Sequence, residues 1–214
     1  MSYIEIKNLS KVLKGTTVLS KVNLQLEKGK IYGFIGRNGS GKTMLFRAIC
    51  GLIRPTEGKI LIDGKELNED ISFPESVGVI IENPGFWGNY TAYENLKILS
   101  SIKNIIDDEQ INSQLSRIGL DQYKKLKYKK FSLGMKQKLA IVQAIMEKPD
   151  LIVLDEPTNA LDEESCNLVR EMILEEKRRG ATILVASHNS DDINILADKK
   201  FKIDNGLVSE IVAN

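Results

Sequence analysis

Gly36-Arg37-Asn38-Gly39-Ser40-Gly41-Lys42-Thr43 gathers glycines, a lysine and a hydroxyl residue in one short stretch. Each residue type suits the binding of a phosphate chain. Glycines let the backbone curl until successive N–H groups converge on phosphate oxygens. Lys42 supplies a point charge to β- and γ-phosphates, and the Thr43 hydroxyl is a hard oxygen ligand for Mg²⁺. The spacing is G-x-x-x-x-G-K-[ST] in full. It follows the apolar run Ile31–Gly36 and opens a helical pattern that ends at Gly51, so the loop meets the positive end of a helix dipole. Gly36, Asn38, Gly39, Ser40, Gly41, Lys42 and Thr43 are therefore the candidate nucleotide-binding residues.

Three further groups could act with them. Leu151-Ile152-Val153-Leu154 is an apolar strand pattern that ends in Asp155-Glu156. Asp155 suits the hydration shell of a metal ion, and Glu156, one residue on, suits a water-activating base. Phe131-Ser132-Leu133-Gly134-Met135-Lys136-Gln137-Lys138-Leu139 places a serine and a glycine at the start of a helix, an anion-binding N-terminus with the hydroxyl as cap. His188, the one histidine, closes the apolar run Thr182–Ser187, where open α/β sheets carry their ligand groups.

The elements that must hold these groups follow from the pattern. Three continuous apolar runs (31–36, 151–154 and 182–187), each followed by a helical pattern, suit parallel strands covered on both faces. Asp63-Gly64 within Lys59–Leu67 and Asn205-Gly206 within Phe201–Ile211 signal hairpins. Between residues 85 and 148 the pattern turns helical. Thr91 with Glu94, and Asp107 with Gln110, form capping boxes, and Gly119 is placed to end the second helix. Lys124–Lys130 reads as a solvated helix end, with contact to acidic headgroups or a partner as the other reading.

The 214 residues suit one α/β domain, with an apolar fraction of 42% and a net charge of +1 that gives no reason to expect nucleic-acid binding. Cys50 and Cys166 fall in separate helical patterns and read as thiols in a reducing compartment. The N-terminus alternates like a strand, and no window nears the ~18 apolar residues that cross a bilayer. The expectation is a cytosolic protein, and its Lys, Ile and Asn usage suits an AT-rich bacterial genome.

In order and spacing, the phosphate loop, Ser132–Met135, the Asp155-Glu156 strand end, Asn159-Ala160-Leu161-Asp162 and His188 resemble the ATP-binding subunits of ABC transporters. The resemblance implies a P-loop NTPase fold of the α/β class. It would have a RecA-like core sheet, an antiparallel β subdomain and an inserted α-helical lobe, the core spanning 1–84 and 149–214 and the lobe 85–148. It also implies ATP and Mg²⁺ as cofactors, with Lys42, Glu156 and His188 catalytic and Thr43 and Asp155 at the metal. Two protomers would sandwich two ATP molecules head to tail. Ser132 and Gly134 of one would close on the phosphates held by the other, and the Asp162 loop would cross between them. The implied partners are a separately encoded transmembrane permease and a second ATPase protomer. The chain itself would be peripheral, on the cytoplasmic face of the membrane.

Two positions depart from the common pattern. The signature is usually L-S-G-G-Q, of which Ser132 and Gly134 remain, and Glu82 stands where the family usually has Gln. Glu82, which would join Thr43 and Asp155 at the metal, is similar to the residue in lantibiotic-immunity and bacitracin-type exporters; the bland reading is a tolerated replacement. That subfamily reading makes an antimicrobial peptide the expected cargo. Leu13 replaces the usual adenine-stacking aromatic, with Val18 as a further contact, which implies weak discrimination between bases. Phe86 and Trp87 suit either a permease pocket or the core of the lobe. The rival class is a soluble ABC-type ATPase acting on ribosomes or DNA. The single phosphate loop and the lack of a long heptad run count against it.

Overall fold

The computed structural model describes residues 2–82 and 85–211. In chain order its strands are β1 (Ser2–Leu13), β2 (Thr16–Glu27), β3 (Ile31–Ile35), β4 (Glu57–Ile62), β5 (Lys65–Glu66), β6 (Val77–Ile80), β7 (Leu151–Asp155), β8 (Thr182–Ser187), β9 (Lys199–Asp204) and β10 (Leu207–Ile211). The helices are α1 (Lys42–Ile49), α2 (Ala92–Lys103), α3 (Asp108–Arg117), α4 (Leu133–Ile145), α5 (Glu163–Arg179) and α6 (Ser190–Leu196). An antiparallel sheet runs β2-β1-β4-β5, and a larger sheet runs β10-β9-β3-β8-β7-β6. In the larger sheet β9, β3, β8, β7 and β6 are parallel, and β10 is antiparallel to β9.

The continuous apolar runs become the inner parallel strands because both faces of that sheet are covered. Alternate residues serve different cores. On one face Leu151, Val153, Leu184 and Phe34 pack with Phe46 and Ile49 of α1 and with the antiparallel sheet. On the other, Ile152, Leu154, Ile183 and Val185 pack beneath the helices. Leu96, Leu115 and Phe131 of the helical stretch belong to that same core. Burial of each such side chain contributes about 1.5–3 kcal/mol.

Local signals act as their chemistry dictates. Both capping boxes form, Thr91 accepting from the Glu94 N–H and Asp107 from that of Gln110. Asp63-Gly64 and Asn205-Gly206 close hairpins with φ of 50°, 79°, 48° and 75°, the left-handed pair that a two-residue turn requires. Lys14-Gly15, with φ of 48° and 82°, closes a third between β1 and β2, without an Asn or Asp to announce it. The lysine-rich stretch is a correction. Lys124, Lys125, Lys129 and Lys130 are exposed as expected, but the stretch holds only one short 3-10 turn, Tyr128–Lys130, and Lys127 pairs with Glu94 at 3.1 Å. Buried Tyr128 and Phe131, packed on each other, pull the stretch onto the core, so it is no helix end. Among the described residues no helix is long and apolar enough to cross a membrane.

The approach of α4 to β6 depends on Gly78. A Cβ there would stand 1.7 Å from the Ala144 carbonyl oxygen, so only glycine lets the helix lie on this edge strand. Gly78→Ala must push α4, and the serine at its start, off the sheet. We expect it to destabilise the chain by at least ~2 kcal/mol, read as a lower midpoint in thermal melting; an unchanged midpoint would show that the edge yields freely.

Candidate functional site

The loop from Gly36 to Gly41 links β3 to α1, and its shape is set by packing on three sides. A Cβ at Gly36 would meet the Ile203 carbonyl oxygen at 2.4 Å, and one at Gly41 (φ 113°) would meet that of Val18 at 2.8 Å. From the β9–β10 turn, the Gly206 N–H donates to the Ser40 carbonyl at 2.9 Å. No side chain caps α1, so its first N–H groups stay directed into the loop. Lys42 is nearly buried and donates to the Gly36 and Arg37 carbonyls at 2.6 and 3.2 Å. The buried Ser40 Oγ makes no hydrogen bond, and space is open around Gly39. Spare hydrogen-bonding capacity beside a buried ammonium fits a phosphate chain.

Beside the loop is a cleft of about 480 Å³ lined by Asn38, Gly39, Lys42, Thr43, Asp155 and Glu156. Glu82, Leu133 and Gln137 also face it. The Thr43 hydroxyl donates to Asp155 Oδ2 at 2.6 Å, a hydroxyl–carboxylate pair whose hard oxygens fit Mg²⁺. Among the described residues no three His, Cys, Asp or Glu side chains gather as a metal cage, so such an ion would share its shell with phosphate and water. Glu82, with φ 59°, is held by Arg47 of α1 at 2.9 Å.

Glu156 lies just beyond β7 with φ 53°. Its N–H donates to the Ala186 carbonyl at 2.8 Å, tying it to β8. Its carboxylate accepts from the His188 N–H at 3.0 Å, and Oε2 lies 2.8 Å from His188 Nδ1. Gln137 donates from α4 to the Glu156 and Pro157 carbonyls at 3.1 and 2.9 Å. Sequence reasoning passed over Gln137, Arg47 and Gly206. Their partners are backbone groups or lie far along the chain; only the Asn-Gly turn signal touched one of them.

Ser132, Gly134 and Asp162 are not brought to this cleft. They line a second depression of about 390 Å³. Ser132 caps α4, its Oγ accepting from the Met135 N–H at 3.2 Å, which leaves the hydroxyl proton free to donate outward. Asp162 caps α5 through the Ser165 N–H at 2.8 Å, and that bond holds its carboxyl below its ordinary value. Leu13 sits half-exposed at the end of β1 and, like Val18, does not line the cleft; Val18 meets the loop through its backbone. The two aromatics divide: Phe86 packs edge-on to Tyr128 at 5.2 Å, whereas Trp87 is 46% exposed.

Burial raises the Asp155 carboxyl above its ordinary value, the Glu156 and Glu82 charges adding while Thr43 and Lys42 oppose. A carboxyl raised on folding lends stability below its unfolded value, near 4, and that stability is lost as pH rises through the folded value. Asp155→Asn removes this loss. Above that window we expect a higher melting midpoint than the native chain, and no difference at pH ~3, where both states hold the proton. Melting curves across pH check it, and a lower midpoint at neutral pH would refute the burial argument.

Comparison with known proteins agrees with this geometry. The family model described as ABC transporter matches residues 19–159. The ABC transporter ATP-binding protein YybJ of Bacillus subtilis is 54% identical over 203 residues, covering 95% of this chain and 93% of that protein. The bacitracin transport ATP-binding protein BcrA of Enterococcus faecalis is 41% identical over 91% of this chain, which spans 64% of BcrA. The lantibiotic transport ATP-binding protein SrtF of Streptococcus pyogenes is 37% identical, covering 91% and 84%. Among solved structures, the ATP-binding subunit of an ABC transporter superposes with a TM-score of 0.89 at 28% identity, covering 99% and 90%. A dimeric ATP-binding cassette bound to ADP and Pi shares the fold, with a TM-score of 0.86 at 21% identity, covering 99% and 100%. With a phosphate loop and an Asp-Glu strand end around one cleft, a histidine held on that glutamate, and these relatives across nearly its whole length, the chain belongs to the ABC transporter ATP-binding proteins, ATPases whose hydrolysis of ATP is coupled to transport.

Proposed function

We propose that the chain works as a head-to-tail dimer on the cytoplasmic face of a bacterial membrane, hydrolysing Mg²⁺-ATP to drive a separately encoded permease that exports an antimicrobial peptide. The observation that carries the catalytic half is the 2.8 Å contact of Glu156 with His188 beside the cleft that also holds Thr43 and Asp155. Lys42 and the loop N–H groups hold the β- and γ-phosphates. Thr43 and Asp155 are the residues that would hold Mg²⁺, whose chemistry there would be charge neutralisation on the phosphates. The Glu156 carboxylate takes a proton from water as the water oxygen bonds to the γ-phosphorus. The bond to the β–γ bridging oxygen breaks, and ADP and phosphate leave. His188 fixes the Glu156 carboxylate through its backbone N–H and Nδ1.

Dimerisation is supported by the position of the signature. Ser132 and Gly134 line a depression other than the chain's own phosphate cleft, and the spare Ser132 proton suits a γ-phosphate held by a second copy. The cargo reading rests on Glu82 and on likeness to proteins named for bacitracin and lantibiotic transport. The exposed Trp87, beside Glu82 in sequence, suits the permease contact.

Glu156→Gln is expected to lower ATP turnover by at least ~100-fold, the usual worth of a general base, while ATP binding persists and the variant accumulates as an ATP-bound dimer. Phosphate release and light scattering read both; a variant that turns over normally excludes Glu156 as the base. Deleting the protein from its host should lower the inhibitory concentration of bacitracin or a lantibiotic at least about fourfold, with no change for small-molecule antibiotics. Equal sensitivity to every peptide tested counts against the cargo.

A further inference from the structure

Four residues beyond His188, Asp192 is completely buried and is bound to neither Glu156 nor His188. Both its oxygens are engaged. Arg170 of α5 donates to Oδ1 through Nε at 2.8 Å and Nη2 at 2.5 Å, and the Thr158 hydroxyl donates to Oδ2 at 2.5 Å. Arg170 is itself steadied by Asn167 Oδ1 at 2.9 Å. Thr158 stands two residues after Glu156, so Asp192 ties the segment that follows one catalytic group to the segment that follows the other.

Glu156 needs such a tie. Its left-handed φ of 53° is a conformation that non-glycine residues hold only where the surroundings over-determine it. Gln137 restrains the Glu156 and Pro157 carbonyls from the α4 side. From the β8 side the Ala186 carbonyl, the Ser187 hydroxyl and His188 hold Glu156 directly, and the Asp192 cluster, which joins α5, α6 and the Thr158–Leu161 turn, holds the segments that follow Glu156 and His188. A buried carboxylate whose two oxygens are both satisfied admits few alternative positions.

We propose that Arg170, Asp192 and Thr158 form a positioning clamp that holds the Glu156 carboxylate against His188 in the hydrolytic arrangement. None of the three residues lines the phosphate cleft, so the clamp acts on the chemical step and leaves ATP binding alone. The proposal rests on the catalytic reading of Glu156 and His188.

The test uses Thr158→Val, Asp192→Asn and the double variant Arg170→Met/Asp192→Leu, which leaves no buried charge behind and so keeps the fold. Each is expected to lower kcat by about tenfold with KM for ATP within about twofold, the signature of a misplaced reacting group. Because His188 is the one histidine, its imidazole nitrogens give a single NMR signature. That signature should move in each variant toward the one seen in Glu156→Gln. Arg170→Lys keeps the charge without the fork and should recover part of kcat. Lower melting midpoints with native kcat and a native imidazole signature would overturn the clamp and leave a purely structural ion pair. So would full kcat in the double variant. Undiminished turnover in Glu156→Gln would instead sink the catalytic reading, and the imidazole signature would still report whether the clamp orients His188.

Discussion

A parallel sheet buried on both faces lines up the carboxyl ends of its strands along one edge, and everything reactive here depends on that alignment. Four neighbouring strands contribute. β3 delivers the phosphate loop, β8 delivers His188, β7 ends in Asp155 and leads to Glu156, and β6 leads to Glu82. Residues far apart in sequence thus meet in space without long connections. Apolar side chains on both faces hold the strands, so the polar groups at their ends sit on a rigid base. The desolvation that raises Asp155 comes from the same burial.

Strain is stored along that edge in a pattern unlike that of the turns. Asp63 and Asn205 take left-handed φ in hairpins, where short polar residues do so at little cost. Glu82 and Glu156 take it beside the cleft, outside any hairpin, while Ala160 takes it within the Thr158–Leu161 turn. Glu156 is restrained by the Ala186 carbonyl, Gln137 and His188 together. The carboxylate is thereby aimed before any substrate arrives, and its reorganisation is not left to the moment of reaction.

What the sequence revealed was whatever depends on neighbours in the chain. The apolar runs, the capping boxes at Thr91 and Asp107, and the Asn-Gly and Asp-Gly turns act through residues at most a few positions apart, and all form. The phosphate loop was legible because its glycines, lysine and threonine are contiguous. Relations across the fold were not. Gly78 matters only because α4 lies against it, and Asp192 only because Arg170 and Thr158 reach it across separations of 22 and 34 residues. The lysine run was misread for the same reason: Tyr128 and Phe131, not the lysines, decide its path. Phe86 and Trp87 are adjacent, yet one faces the core and the other solvent, a division their composition does not carry.

The Gly206 N–H that closes on the Ser40 carbonyl has a consequence for biosynthesis. β3, which carries the phosphate loop, has as its two sheet neighbours β8 and β9, which begin only at Thr182 and Lys199. Pairing so distant in sequence makes the topology slow to form. On the ribosome the loop emerges well before its flanking strands β8 and β9 and the turn at Gly206, and stays without them until they follow. A nascent chain therefore carries the nucleotide-binding residues without a finished site until β8, β9 and the Gly206 turn have joined them, and competence to engage ATP waits on that long-range pairing.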